Sequence, residues 1–187
     1  KKEEKIMKKR IKIILAAAAL AIAAVATIGF NYYNTYKRDN VVKETVLLVY
    51  KHYNYDSLMN AIESSGAIEN LKTFRKAAAK RELEKHFEPG RYILKPGQSN
   101  QQIIRIIANS WQEPMRFTLR SHIRTLGKLS GFMGNNFEAD SAEFAKVLLN
   151  DSLIKAMGFT RETFIGMFIP NTYELYWTES PENIIKR

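Results

Sequence analysis

The sequence predicts an α+β protein carried on a single N-terminal transmembrane helix. Three observations lead there. Ile13 to Phe30 is an uncharged run of eighteen residues, rich in Ala, Ile, Leu and Val. Val41 to Tyr50 is β-branched and partly alternating, the pattern of a strand. From Asp56 onward, apolar residues recur at helical spacing between Gly and Pro punctuation.

As a helix the apolar run would span about 27 Å, close to the hydrocarbon thickness of a bilayer. Seven cations precede it (Lys1, Lys2, Lys5, Lys8, Lys9, Arg10 and Lys12) against Glu3 and Glu4, while Lys37 and Arg38 are the only cations shortly after it. That asymmetry predicts a cytoplasmic tail at 1–12, a transmembrane helix at 13–31 and the remainder on the far side. Tyr32, Tyr33 and Tyr36 fall where an interfacial aromatic belt would lie. A cleavable signal peptide, with Ala24-Val25-Ala26 as its cleavage site, is the competing reading. Its core would be about 7–15 residues, and here the candidate site falls inside a longer run. A buried soluble helix would show a polar face, and none interrupts the run.

The formal net charge is +10. Residues 1–12 hold seven cations and two anions, so they supply half of it. The rest carries 22 cations and 17 anions with both signs mixed through Asn70 to Glu88, the pattern of a solvated helix face. A membrane-anchored nucleic-acid binder is therefore disfavoured. Without cysteine there is no thiol nucleophile, disulfide or thiolate metal site. His52, His86 and His122 lack ligand spacing and read as surface or packing residues.

The elements follow in order. After the strand at Val41 to Tyr50, Asp56 caps a helix that runs through Glu63 with Leu58, Met59 and Ile62 on one face, and Gly66 stops it. Asn70 to Phe87 reads as a second helix, its stripe made of Leu71, Phe74, Ala78, Leu83 and Phe87, broken by Glu88-Pro89-Gly90. A short strand from Gly90 meets a Pro96-Gly97 turn, Ser99 is an N-cap, and Ile103, Ile104, Ile107 and Trp111 follow at helical spacing. Beyond Pro114 come a strand at Met115 to Leu119 and a helix around Ile123 to Met133. A helix capped by Ser141 extends through Leu149, and a turn begins at Thr160. Ser180-Pro181 is a helix start with Pro at the first helical position.

The stretch Ile165-Gly166-Met167-Phe168-Ile169-Pro170-Asn171-Thr172-Tyr173 resembles the signature of the YceG-like endolytic murein transglycosylases. That signature reads Glu-Gly-x-Φ-Φ-Pro-x-Thr-Tyr/Trp, Φ being apolar. Gly166, Phe168, Pro170, Thr172 and Tyr173 fit, and Ile165 holds the place of the leading Glu, the family's catalytic acid. Gly90, Tyr92, Leu94, Gly97 and Ser99 are similar to the Gly-x-Tyr-x-Φ-x-x-Gly-x-Ser pattern of the family's LysM-like subdomain. The resemblance implies a membrane-proximal α/β segment at 32–88, a LysM-like subdomain at 89–113 and part of a YceG-like catalytic domain at 114–187. Relatives continue well beyond this point, so an N-terminal fragment is expected.

It also implies a single-pass inner-membrane protein with a periplasmic bulk. Its activity would be that of a lytic transglycosylase (a lyase) that cleaves nascent peptidoglycan at MurNAc-GlcNAc bonds, leaves 1,6-anhydro ends and terminates strand elongation. Glycan strands are the implied partner, with peptidoglycan synthases as further candidates. No metal or organic cofactor is called for, because one carboxylic acid suffices. It protonates the glycosidic oxygen while the sugar's C6 hydroxyl closes the anhydro ring.

With Ile165 in the acid's place, the acid must come from nearby. Glu174 stands first, because its neighbours Tyr173, Tyr176 and Trp177 form an aromatic setting that favours a protonated carboxyl. Glu162 stands second, and Glu179 and Glu182 read as helix-start charges. If residues 171–174 are extended, Thr172 and Glu174 share one side, with Asn171 and Tyr173 on the other. Asn171, Thr172, Tyr173 and Trp177 are the candidate substrate-binding residues, the aromatics by stacking on sugar faces. The alternatives remain a surface carboxylate at a strand end for Glu174 and core packing for the aromatics; Phe164 and Phe168 read as core. For the whole chain, the alternative is a non-catalytic membrane-anchored peptidoglycan-binding or scaffold protein of the wall-synthesis machinery, which Ile165 supports.

A reporter enzyme active only outside the cytoplasm, fused after Tyr50, is expected to be active. A cytoplasm-only reporter working at the same junction would reverse the assigned orientation, and neutralising Lys8, Lys9, Arg10 and Lys12 is expected to weaken it.

Overall fold

A continuous helix, α1 (Lys2–Tyr32), opens the chain and passes into a π-helical turn at Tyr33–Lys37. The structure is a computed structural model that describes residues 2–187, with side chains from Arg10 onward. Within this segment Arg10–Lys37, 28 residues, is long and apolar enough to cross a membrane, and its side chains are exposed through Tyr33. The cations Lys1, Lys2, Lys5, Lys8 and Lys9, with Glu3 and Glu4, carry most of the orientation argument and lie outside the residues whose side chains are described.

The next elements share one core. Strand β1 (Thr45–Val49) leads to α2 (Tyr55–Ser65), α3 (Leu71–Lys80), α4 (Leu83–His86), β2 (Gly90–Leu94) and α5 (Asn100–Ala108). Strands β1 and β2 pair antiparallel, Thr45 opposite Leu94 and Val49 opposite Gly90. Alternation sends Leu47, Val49, Tyr92 and Leu94 inward, where they meet Leu58, Ile62, Phe74, Ile103 and Ile107. The helix expected at Asp56 is capped instead by Asn54, whose side chain accepts from Ser57 N, and it ends at Gly66 in the left-handed conformation. The single helix expected over Asn70 to Phe87 is two. The backbone turns at Arg81–Glu82, with Glu82 at φ 50°, and this re-aims Leu83 into the core. Trp111 lies beyond the end of α5 and is exposed, with the Arg105 guanidinium 5.4 Å over its ring.

Two buried amides tie this unit to the end of the apolar helix. Asn40 donates to Asn100 Oδ1 (2.6 Å) and to the Asn70 carbonyl, and accepts from Asn70 N (2.7 Å). Asn100 donates to the Thr35 carbonyl (2.9 Å) and to Thr73 Oγ1 (3.1 Å). The π-helical turn, α3 and α5 thus meet at one point.

The second core is built from β3 (Met115–Thr118), α6 (Leu126–Gly134), α7 (Ser141–Leu148), α8 (Asp151–Ala156), a 3₁₀ turn at Phe164–Met167, β4 (Thr172–Leu175) and α9 (Pro181–Lys186). Asp140, one residue before the expected Ser141, caps α7 in a capping box with Glu143. The chain breaks at Leu149–Asn150, and α8 is a separate helix that the apolar pattern did not foretell. Ser180 caps α9 as its sequence suggests.

The seam between the two cores is narrow. Trp177 stands edge-on to Tyr50 at 4.9 Å, Lys51 pairs with Glu138 at 2.7 Å, and Gln112 exchanges hydrogen bonds with Thr178.

Tyr92 explains two residues of the strand–turn–helix pattern. Its ring is fully buried and folds back over Gly90, where a Cβ would come within 2.7 Å of the ring, so no larger residue fits there. Its hydroxyl donates to the Glu88 carbonyl (2.8 Å). Burial pushes the phenol up from 10.0 to about 12, the Glu88 carboxylate adding to it against a Ser110 hydrogen bond. Below pH 10 the hydroxyl is protonated in both folded and unfolded chains. Above it the unfolded chain ionises first, so stability falls as pH rises towards 12. Denaturant titrations at pH 8 to 12 should show Tyr92→Phe with a shallower alkaline decline than the parent; parallel declines would remove Tyr92 as the cause.

Candidate active site

Strands β3 and β4 pair antiparallel, and their alternation makes a sheet with two unlike faces. Met115 opposite Leu175 and Phe117 opposite Tyr173 point inward. Arg116 opposite Glu174 and Thr118 opposite Thr172 point outward and are exposed. The two threonine hydroxyls are 2.9 Å apart, and Glu174 is the one carboxylate among these four outward strand residues. Among the described residues, no ion pair closes between Arg116 and Glu174, which leaves both side chains open to solvent.

The loop before β4 is held from both sides. Tyr173 donates its hydroxyl to the Ile169 carbonyl (2.7 Å), Leu119 N donates to the Asn171 carbonyl (2.8 Å), and Asn171 accepts from Thr172 N (2.8 Å). Pro170 and Asn171 are displayed at the surface by these contacts. Beneath, Phe117, Met133, Met157, Phe168, Tyr173 and Ile185 line an apolar cavity of about 300 Å³.

The structure brings Asn171, Thr172 and Glu174 to the surface together and turns Tyr173 and Trp177 inward. Tyr173 is half-buried, and Trp177 is 4% exposed with its carbonyl accepting from Glu138 N. The aromatic burial expected for Glu174 is not there: its neighbours along the chain alternate away from it, and it is exposed beside Arg116. Glu162, also exposed, is held below the usual carboxylate range by the Thr160 hydroxyl, the opposite of what a protonated acid requires. Glu179 pairs with Arg187 (3.4 Å), and Glu182 lies in the first turn of α9. Ile165 packs on the second core.

One residue escaped the sequence reading. Arg116 sits opposite Glu174, and only strand register reveals it. Tyr176 is 47% exposed and extends the outward alternation of Thr172 and Glu174, so strict counting by twos along 172–177 would have preferred it to Trp177. Among the described residues, no three His, Asp or Glu side chains come together as a metal site.

The sequence profile of the YceG-like family matches residues 47–187. A crystal structure of a yceG-like protein from Listeria monocytogenes is 18% identical, with 78% of this chain and 52% of that one covered and a TM-score of 0.43. The chain therefore spans about half the length of that solved protein. No curated protein matches it.

Gly166 supplies a direct test of whether the motif is structural. A Cβ there meets nothing within 4 Å, and its φ is not in the left-handed region. Gly166→Ala is expected to leave folding stability unchanged or raise it by about 0.4–1 kcal/mol through the unfolded chain. A loss above about 1 kcal/mol in a denaturant titration would show a packing requirement that the structure lacks.

Proposed function

The chain belongs to the YceG-like family, and from that premise we propose that it is a membrane-anchored endolytic lytic transglycosylase of peptidoglycan. It would cleave nascent glycan strands at MurNAc-GlcNAc bonds and so end their elongation. The observation that carries this reading is the outward face of β3–β4, where the motif residue Thr172 shares a strand face with an open carboxylate, Glu174. A glycan lying on that face would exclude water from Glu174 and supply the cover that the isolated chain lacks. Glu174 would then give its proton to the glycosidic oxygen as the C1–O bond breaks. The C6 hydroxyl would attack C1 and return its proton to the same carboxylate, so no water is consumed. Thr172, Thr118 and Asn171, all exposed, would bond sugar hydroxyls, and the exposed Tyr176 would be the stacking ring. In this reading Tyr173 and Trp177 hold the strand rather than touch substrate. The segment at 89–113, with its LysM-like pattern, is proposed to hold the strand away from the cut. The N-terminus would lie in the cytoplasm and the bulk in the periplasm, close to newly made glycan and its synthases.

A second reading, a non-catalytic glycan-binding scaffold, draws on Ile165 in the core and Glu174 in water. Product analysis separates the two, because only the first yields anhydro-ended muropeptides from nascent strands. In the full-length protein Glu174→Gln is expected to cut anhydro-product formation by roughly 10²–10⁴, the scale of a general acid, with an unchanged melting transition. Unchanged turnover would move the acid elsewhere, and no anhydro product from the parent would leave the scaffold reading.

A further inference from the structure

A cavity lies away from the motif, where the apolar helix leaves the membrane-spanning stretch. It measures about 460 Å³ and is lined by Asn34, Arg38, Asp39, Glu69, Asn70 and Thr73, with the buried Asn40 behind them. That size falls within the range of small-molecule sites, about 300–1,000 Å³. Asn34 belongs to the last turn of the candidate span Arg10–Lys37, and Arg38 is the next residue after it. Tyr32, Tyr33 and Tyr36 stand on the same turns, where aromatic rings mark a membrane–water boundary. With the helix across a bilayer, the cavity opens at the level of the lipid headgroups.

Its charges are mixed. One guanidinium and two carboxylates face the space, and among the described residues none of Arg38, Asp39 and Glu69 forms an ion pair. A purely anionic ligand would satisfy Arg38 and be repelled by two carboxylates. A purely cationic one would leave Arg38 unmatched. A ligand that is anionic at one end and a hydrogen-bond-donating cation at the other satisfies all three. Arg38 suits a phosphate, which it binds in bidentate fashion, and Asp39 with Glu69 suits an ammonium with three N–H donors. The neutral donors and acceptors Asn34, Asn70 and Thr73 complete the lining. The walls are preorganised, because Asn40 and Asn100 tie the helix exit to α3 and α5.

We propose that this cavity is a binding site for a phosphoethanolamine headgroup, supplied by phosphatidylethanolamine in the surrounding leaflet. The inference rests on α1 spanning a membrane and is independent of the transglycosylase reading. A phosphocholine group carries the same charges but has no N–H to donate, so the carboxylates select between the two.

Native mass spectrometry of the full chain, in micelles containing equal amounts of phosphatidylethanolamine, phosphatidylcholine and phosphatidylglycerol, reads the site directly. The parent is expected to retain one phosphatidylethanolamine, at least about fivefold over either competitor. Glu69→Gln should bring phosphatidylethanolamine down to the phosphatidylcholine level, and Arg38→Gln should lower both. Both side chains are exposed, and an unchanged melting transition serves as the folding control. Millimolar free O-phosphoethanolamine should displace the lipid and free phosphocholine should not, which separates headgroup recognition from a general affinity for lipid. Equal retention of the three lipids by the parent, or an unchanged preference in both variants, would overturn the proposal.

Discussion

The folded part that follows the apolar helix hangs on one buried pair of amides. Asn40 and Asn100 sit 2.6 Å apart, each almost fully enclosed, at the point where the long apolar helix ends and the folded part begins. A buried amide costs a few kcal/mol when unpartnered and is neutral or favourable when its partners are in place. The pair therefore acts as a geometric condition: the π-helical turn, the strand approach at 39–41, α3 and α5 must all arrive together, or several polar groups are stranded. The Thr35 carbonyl and Asn70 N are backbone groups at element ends, which helices by themselves leave unbonded. By accepting and donating to these groups, two side chains set the angle at which the apolar helix meets the folded part. The cavity at the helix exit lies beside that junction, with Asn40 in its lining.

The motif strand is positioned by a chain of smaller constraints. The narrow seam fixes the end of β4, since Trp177 fills the gap against Tyr50 while its carbonyl bonds Glu138, itself paired with Lys51. With Trp177 and Leu175 drawn inward, the pleat leaves Glu174 and Tyr176 no choice but to face out. The buried aromatic thus sets the direction of the exposed carboxylate two positions before its neighbour. A residue that reads from sequence as a sugar-stacking ring proves to be the strand's fastening.

The elements themselves were largely legible, since periodicity is a property of neighbours along the chain. The strands around 45–49, 90–94, 115–118 and 172–175, and the helices carrying Leu58–Ile62 and Ile103–Ile107, all fall on patterns of two or of three and four. What failed were decisions between adjacent polar residues. Asn54 rather than Asp56 and Asp140 rather than Ser141 cap their helices, and both members of each pair are competent caps. The break at Arg81–Glu82 was invisible because neither residue is a helix breaker, and it shows only in the left-handed backbone of Glu82 beside the buried Leu83. The site was less legible than the fold. Which residues flank Glu174 in sequence was plain, yet its surroundings depend on strand register, and Arg116 is 58 positions away from it by numbering.

The motif can be divided by asking what the fold itself requires. Phe168 packs against Phe164 and lines the apolar cavity, Tyr173 bonds the Ile169 carbonyl, and Thr172 bonds Thr118 across the sheet, so each of these is accounted for by structure. Gly166 is not: it has open space where a side chain could stand and an unstrained backbone. Neither Pro170 nor the Asn171 side chain is buried. A position that packing leaves free, inside the stretch that carries the family resemblance, would be accounted for by something that comes to lie against it. In the proposed reading, a glycan strand approaching the motif would meet backbone rather than a side chain at Gly166. The proton would come from Glu174 rather than from position 165, with Pro170 and Asn171 displayed just before the strand that carries it.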